Sequence, residues 1–178
     1  MKIARMAWGM ALFAACAGAT TIIPMSVEEL SQKAGSIVEA RAIDSRSEWN
    51  PQHTLIYTYT RFAVSRTLKG SAAQTITVKQ FGGSADGYTQ HISGVRQFLD
   101  GEETLLFLRG SVAHDGTQVI VGLMQGHFNV FRDTAGETMV SNGIPQATRP
   151  PRGKATEIHG TAIPLASMEQ RIARAISK

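Results

Sequence analysis

Between Leu55 and Leu68 the chain alternates more clearly than anywhere else. Ile56, Thr58, Thr60, Phe62, Val64 and Leu68 fall on one side of an extended segment, and Tyr57, Tyr59, Arg61 and Ser65 on the other. Successive side chains of a strand point to opposite faces, and β-branched and aromatic residues suit that surface, so a half-buried strand is expected here. The same alternation over Ser36 to Ser45 sets Val38, Ala40 and Ala42 against Glu39 and Arg41. Thr75 to Phe81 reads as a third strand, ended by Gly82-Gly83. Glu103 to Arg109 differs, because Leu105, Leu106, Phe107 and Leu108 make both of its faces apolar. Gln118 to Leu123 and His127 to Phe131 continue the series, with a last hairpin through Gly136 and Glu137 to Val140. Gly122 and Gly126 predict bulges or tight bends.

Two helices bracket these strands. Ser26-Val-Glu-Glu29 is a capping box, in which a serine and a glutamate three residues on satisfy free amides of the first turn. It predicts a short helix from Val27 to Ala34, with Gly35 as its C-cap. Pro164 opens a second helix at a position where its missing N–H costs nothing. Leu165, Met168, Ile172 and Ile176 would share one face of it. Short strands divided by turn residues indicate an antiparallel barrel or sandwich of mainly β class, spanning Ser36 to Arg132. Val38, Ile56, Phe62, Val64, Ile76, Val78, Leu106 and Leu108 are the expected core.

The first residues do not belong to this pattern. Lys2 and Arg5 precede an apolar run from Met6 to Ala15, and small residues around Ala15-Cys16-Ala17 and Ala17-Gly18-Ala19 offer cleavage sites. The run is too short to span a bilayer, which takes roughly 20 residues. Residues 1–19 are therefore expected to be a secretory signal, residues 20–140 the folded domain, and residues 141–178 a linker and basic helix. The mature protein would be secreted or periplasmic, with no transmembrane segment. Anchoring as a lipoprotein through Cys16, the one cysteine, is the alternative. Ordinary cleavage leaves a chain without cysteine, which excludes disulfides, a thiol nucleophile and thiolate metal sites.

Removing the signal changes the charge. The chain has 18 Lys and Arg against 14 Asp and Glu, and losing Lys2 and Arg5 leaves a balance of +2. Six bases stand beyond residue 148 against Glu157 and Glu169, so the tail is basic and can touch anionic surfaces weakly. The body is near neutral and carries no basic groove for nucleic acid.

The run from Met25 to Arg109 resembles the inhibitory module of the tissue inhibitors of metalloproteinases and their netrin-type relatives. The matching features are the helix before the first strand, the sequence Ala34-Gly35-Ser36-Ile37-Val38-Glu39-Ala40, the long strand ending Phe62-Ala63-Val64 and closing at Lys69-Gly70, and Gly101-Glu102 leading into Leu105-Leu106-Phe107-Leu108. The body is also similar to small secreted bacterial proteins of uncharacterised function. The resemblance implies an OB-like five-stranded barrel. It carries over no functional residue: animal members begin with a cysteine whose amine reaches the protease zinc, and Cys16 lies in or before the cleavage site.

Catalytic motifs are sparse. His53, His91, His114, His127 and His159 lack the i, i+2 and i, i+4 spacings of strand and helix metal pairs, and are expected at loops or strand edges. Asp100-Gly101-Glu102-Glu103 offers two carboxylates for acid–base work, but reads better as a turn and a charged strand start. Gly82 to Gly87 fits neither a phosphate loop nor a dinucleotide fingerprint, and Ser84 has no nucleophile-elbow context. The reading that follows is an exported, non-catalytic binding module acting on a secreted or extracellular protein, in its narrower form a protease inhibitor. It needs no cofactor and no metal. Its contacts are expected on the loops Ser47 to Thr54 and Gly82 to Phe98, through Trp49, Tyr88 and Phe98, since aromatic anchors dominate interface energetics. Two alternatives stay open. One is an exported hydrolase whose His, Asp and Glu residues converge on a metal. The other is an OB-type binder of an anionic polymer, using Trp49, Tyr57, Tyr59 and Tyr88 as a stacking platform.

Overall fold

The computed structural model describes residues 24–111, 115–143 and 162–177. The expected signal with Cys16, most of the 141–164 linker, His114 and His159 lie outside these residues.

Helix α1, Val27–Lys33, begins as its sequence requires. The Ser26 hydroxyl accepts from the Glu29 amide, and the Glu29 carboxylate accepts from the Ser26 amide. Its end differs from expectation. The cap is Ala34 in extended conformation, not a left-handed Gly35. The Gly35 N–H already donates to Leu108 O, so the chain passes straight from helix into sheet. The Lys69 ammonium satisfies the helix end by donating to the carbonyls of Ser31 and Ala34.

The strands are β1 Ser36–Trp49, β2 Ile56–Lys69, β3 Thr75–Phe81, β4 Gly83–Ala85, β5 Tyr88–Gln90, β6 Glu103–Gly110, β7 Gln118–Ile120, β8 His127–Arg132, β9 Thr138–Ser141 and β10 Ile163–Pro164. Strands β1, β2, β3, β7 and β6 run side by side, and β6 pairs back with β1, so the barrel is closed and OB-like. The expected antiparallel pairing holds in every seam but one. β3 meets β7 in parallel, through the single pair Val78 and Gln118. β8, β9 and β10 extend the sheet beyond β6, and β4 with β5 forms a small hairpin within the glycine-bearing loop.

β1 runs four residues past its expected end because a register shift between Ala42 and Asp44 reverses its phase. Val38, Ala40 and Ala42 face the interior before the shift. After it Ser45 and Ser47 turn toward Thr60 and Thr58, with hydroxyl pairs at 2.8 Å. A bulge of this kind breaks the two-residue period without ending the strand.

Two apolar layers result. Inside the barrel lie Val38, Phe62, Ile76, Val78, Leu106 and Leu108, with Val95, Phe98 and Met124 closing one side. Of the expected core only Val64 is half-buried. Outside it, Ile37, Leu105, Phe107 and Phe128 pack against Val27 and Leu30 of α1 and against Met168 and Ile172 of helix α2, Leu165–Ile176. This second layer explains why β6 is apolar on both faces. It also joins α2 to the domain, with Arg171 bridging bidentately to Glu28 at 2.9 Å. Ile176 does not join it and stays 40% exposed. No helix among the described residues is long and apolar enough to cross a membrane.

Candidate functional site

The short parallel contact between β3 and β7 leaves a gap in the barrel wall. Beyond Val78 no strand among the described residues pairs with that side of β3. The gap is filled by the segment 92–98 and by the turn 121–126. Gln80 Nε2 donates to Arg96 O at 3.1 Å, and Gln97 Nε2 to Phe81 O at 3.3 Å. Val95, Phe98 and Met124 plug the interior behind them.

The three aromatic residues expected to meet a partner part company here. Trp49 ends β1 half-buried, and Tyr88 opens β5 at 66% exposure. Their rings stand edge to face with centroids 5.8 Å apart, and His53 stacks on Trp49 at 5.7 Å. Phe98 is elsewhere. It is 5% exposed, with its ring edge-on to Phe62 at 4.8 Å and against His127 at 4.7 Å. Phe98 is a core side chain, so the loop group reduces to Trp49 and Tyr88, joined by His53. Tyr57 and Tyr59 do share the outer face of β2, but with cations between them. Lys79 Nζ lies 4.4 Å from the Tyr57 ring centroid and 5.3 Å from that of Tyr59, and the Arg46 guanidinium lies 5.0 Å from Tyr59. Both cations are already paired, Lys79 with Asp115 and Arg46 with Glu48.

Leu123 lines two grooves. It has φ of 61°, a left-handed conformation that is strained for a branched side chain. Gly122 before it has φ of 66°. The two residues together turn the chain outward and leave Leu123 47% exposed. On its β8 side lies a groove of about 730 Å³ bordered by Val95, Arg96, Met124, Asn129 and Phe131. On its β3 side lies another of about 580 Å³ bordered by Tyr57, Phe81, Arg109 and Val119.

The first groove has a polar floor that sequence spacing could not reveal. His127 stands at the first position of β8 and is buried there, with Nε2 3.4 Å from Glu102 Oε1. The contact is long and Nε2 gains no well-aligned partner from it. Arg96 Nη2 donates to the same Glu102 oxygen and to Asn129 Oδ1 at 2.7 Å. Glu102 Oε2 accepts from the Leu99 amide at 3.1 Å. Burial opposes the charge on Glu102, but His127, the Leu99 amide and Arg96 prevail and hold its pKa below the ordinary carboxylate value. Burial dominates at His127 and, with Arg96, outweighs Glu102 and Asn129, so its pKa falls below the usual histidine value. A neutral imidazole, a carboxylate and a guanidinium in contact are ingredients of acid–base sites. Here the imidazole is 4% exposed and lies against the Phe98 ring, while Glu102 and Asn129 hold the Arg96 guanidinium at the groove wall. Among the described residues no group of three or more His, Cys, Asp or Glu side chains is placed to hold a metal ion.

Compared with models of known protein families and with curated proteins, the chain matches none.

Proposed function

We propose that this domain is an exported, non-catalytic binding module that docks on a secreted or extracellular protein. Leu123 carries the reading. A leucine held in left-handed backbone and left half-exposed between two grooves is disfavoured twice, by strain and by exposed apolar area. Such outliers persist where a surface has a use. The docking surface of this proposal is the groove on the β8 side, with Leu123 and Phe131 as apolar contacts and the Arg96 guanidinium, paired with Glu102, as a polar contact held in place at its wall. Trp49 and Tyr88 form a second aromatic contact. The enclosure of His127 supports recognition over acid–base chemistry. The pairing of Lys79 and Arg46 with carboxylates leaves the aromatic face of β2 without net positive charge, which disfavours an anionic polymer as partner. Inhibition of a protease is the narrower form of the proposal and rests on the resemblance of Met25 to Arg109 to the inhibitor module.

The test is affinity capture from the compartment in which the protein resides, comparing wild type, Leu123→Asp, and the double variant Trp49→Ala, Tyr88→Ala. A partner captured by wild type and lost by either variant at unchanged melting temperature supports the proposal. Equal capture by all three refutes the surface, and turnover of a substrate by the purified domain refutes the non-catalytic role.

A further inference from the structure

We infer that the groove on the β3 side of Leu123 is a site for a small organic anion with a flat apolar body. Its volume of about 580 Å³ falls in the range of roughly 300–1,000 Å³ typical of small-molecule sites. One wall is aromatic, with Tyr57 and Phe81 ring centroids 5.4 Å apart. The facing wall is aliphatic, from Val119, Ile120 and Leu123.

Two cations border these walls, and they differ. Lys79 is committed to the Tyr57 ring and to Asp115, 3.3 Å away. Arg109 makes no ion pair with any described residue. It stands directly opposite Val119 in the β6–β7 ladder, so main-chain register fixes its place on the rim. Apolar walls with one guanidinium that no described carboxylate pairs complement an aromatic carboxylate or sulfonate. The planar fork of arginine matches two anion oxygens, and the rings receive the apolar body. A cationic ligand would meet repulsion from Arg109, with the charge of Lys79 already offset by Asp115. The site lies on the opposite side of Leu123 from the proposed docking groove and requires no protein partner.

The test uses two probes that share one apolar body. They are 8-anilinonaphthalene-1-sulfonate and its uncharged parent N-phenyl-1-naphthylamine, titrated by fluorescence into the full folded chain. The sulfonate should bind saturably, one per chain, and more tightly than the parent. Arg109→Gln should weaken the sulfonate roughly tenfold or more, as expected for a charge-assisted hydrogen-bonded contact, and leave the parent unchanged. Val119→Glu, which sets a carboxylate opposite Arg109, should also weaken the sulfonate. Melting curves of both variants establish that they are folded. The inference is overturned if the sulfonate binds without saturation, if Arg109→Gln leaves it unchanged or weakens both probes equally, or if Phe131→Ser in the other groove abolishes its binding.

Discussion

Phe98 separates a loop that carries contacts from a loop that plugs a barrel, and truncating it measures the difference. The ring is 5% exposed and touches Phe62 and His127 edge-on at centroid distances of 4.8 and 4.7 Å. Buried Phe→Ala substitutions cost about 3–5 kcal/mol through lost transfer energy and the cavity left behind. Edge-to-face pairs add about 0.5–1.5 kcal/mol each beyond burial. The segment 92–98 is irregular and free to collapse partly into the space, which places Phe98→Ala near the lower bound, about 3 kcal/mol. That is a large share of a total stability of about 5–15 kcal/mol. The neighbouring Leu99 is 69% exposed, so Leu99→Ala should stay within about 0.5 kcal/mol. Urea unfolding followed by tryptophan fluorescence reads both. A cost below about 1 kcal/mol for Phe98→Ala, or a larger cost for Leu99→Ala, would show that the ring does not plug the barrel. A cycle combining Phe98→Ala with Phe62→Ala should return a coupling of about 0.5–1.5 kcal/mol.

Met168 is fully buried between α2 and the outer face of the barrel, so Met168→Ala should cost about 2–5 kcal/mol in the same assay; a near-neutral result would mean that α2 is not docked. Gly83 has φ of 125°, and a Cβ there would fall on the Thr58 and Ser47 hydroxyls; Gly83→Ala should lower the melting temperature measurably, whereas Gly136→Ala, with open space around it, should cost only the strain of its positive φ. His127 has a folded pKa below the ordinary histidine value of about 6.5, so the unfolded chain takes up that proton first, and stability should fall as pH drops from about 6.5 toward the folded pKa. Glu102 is also held below its ordinary 4.5, so its share is lost only below that pH; His127→Gln should flatten the upper part of a stability–pH profile and spare the lower, and an unchanged upper part would remove His127 as its cause.

Where one residue's face decided its chemistry, the sequence sufficed. β2 could be read because from Ile56 to Phe62 its even positions are apolar or Thr and its odd positions are Tyr or Arg, and the structure buries Ile56, Thr58, Thr60 and Phe62 in that phase. The capping box of α1 was legible because both partners lie within one turn. β1 was cut short at Ser45 because the register shift after Ala42 inverts its pattern, which reads in sequence like the end of a strand. Gly35 departs from the expected cap for a similar reason. A glycine after a helix commonly takes a left-handed cap, but here the demand of the Leu108 carbonyl for its N–H draws it into the sheet.

The site was far less legible, and the reason lies in topology. Phe98 belongs to no periodic segment, and nothing local distinguishes it from Leu99 as the residue that turns inward. The choice is made by the gap between β3 and β8, which exists only because β7 pairs three residues of β6 and then bends away at Gly122. The same bend delivers His127 to Glu102 from 25 residues along the chain, outside the reach of any spacing rule. Arg109 shows the converse. Its position at the end of an apolar strand suggests an ordinary solvated charge, and its difference from Lys79 appears only when their partners are known. Lys79 finds Asp115 across the β3–β7 seam, while the β6–β7 ladder sets Arg109 opposite an apolar valine. A charge without a counter-ion among the described residues, beside apolar walls, is a statement about its surroundings in space, and no one-dimensional pattern encodes that. The two grooves therefore follow from one irregularity, the three-residue length of β7. Filling that gap with a longer β7 would erase both, which is why Leu123, held at the point where the strand stops, is the residue whose substitution bears on them together.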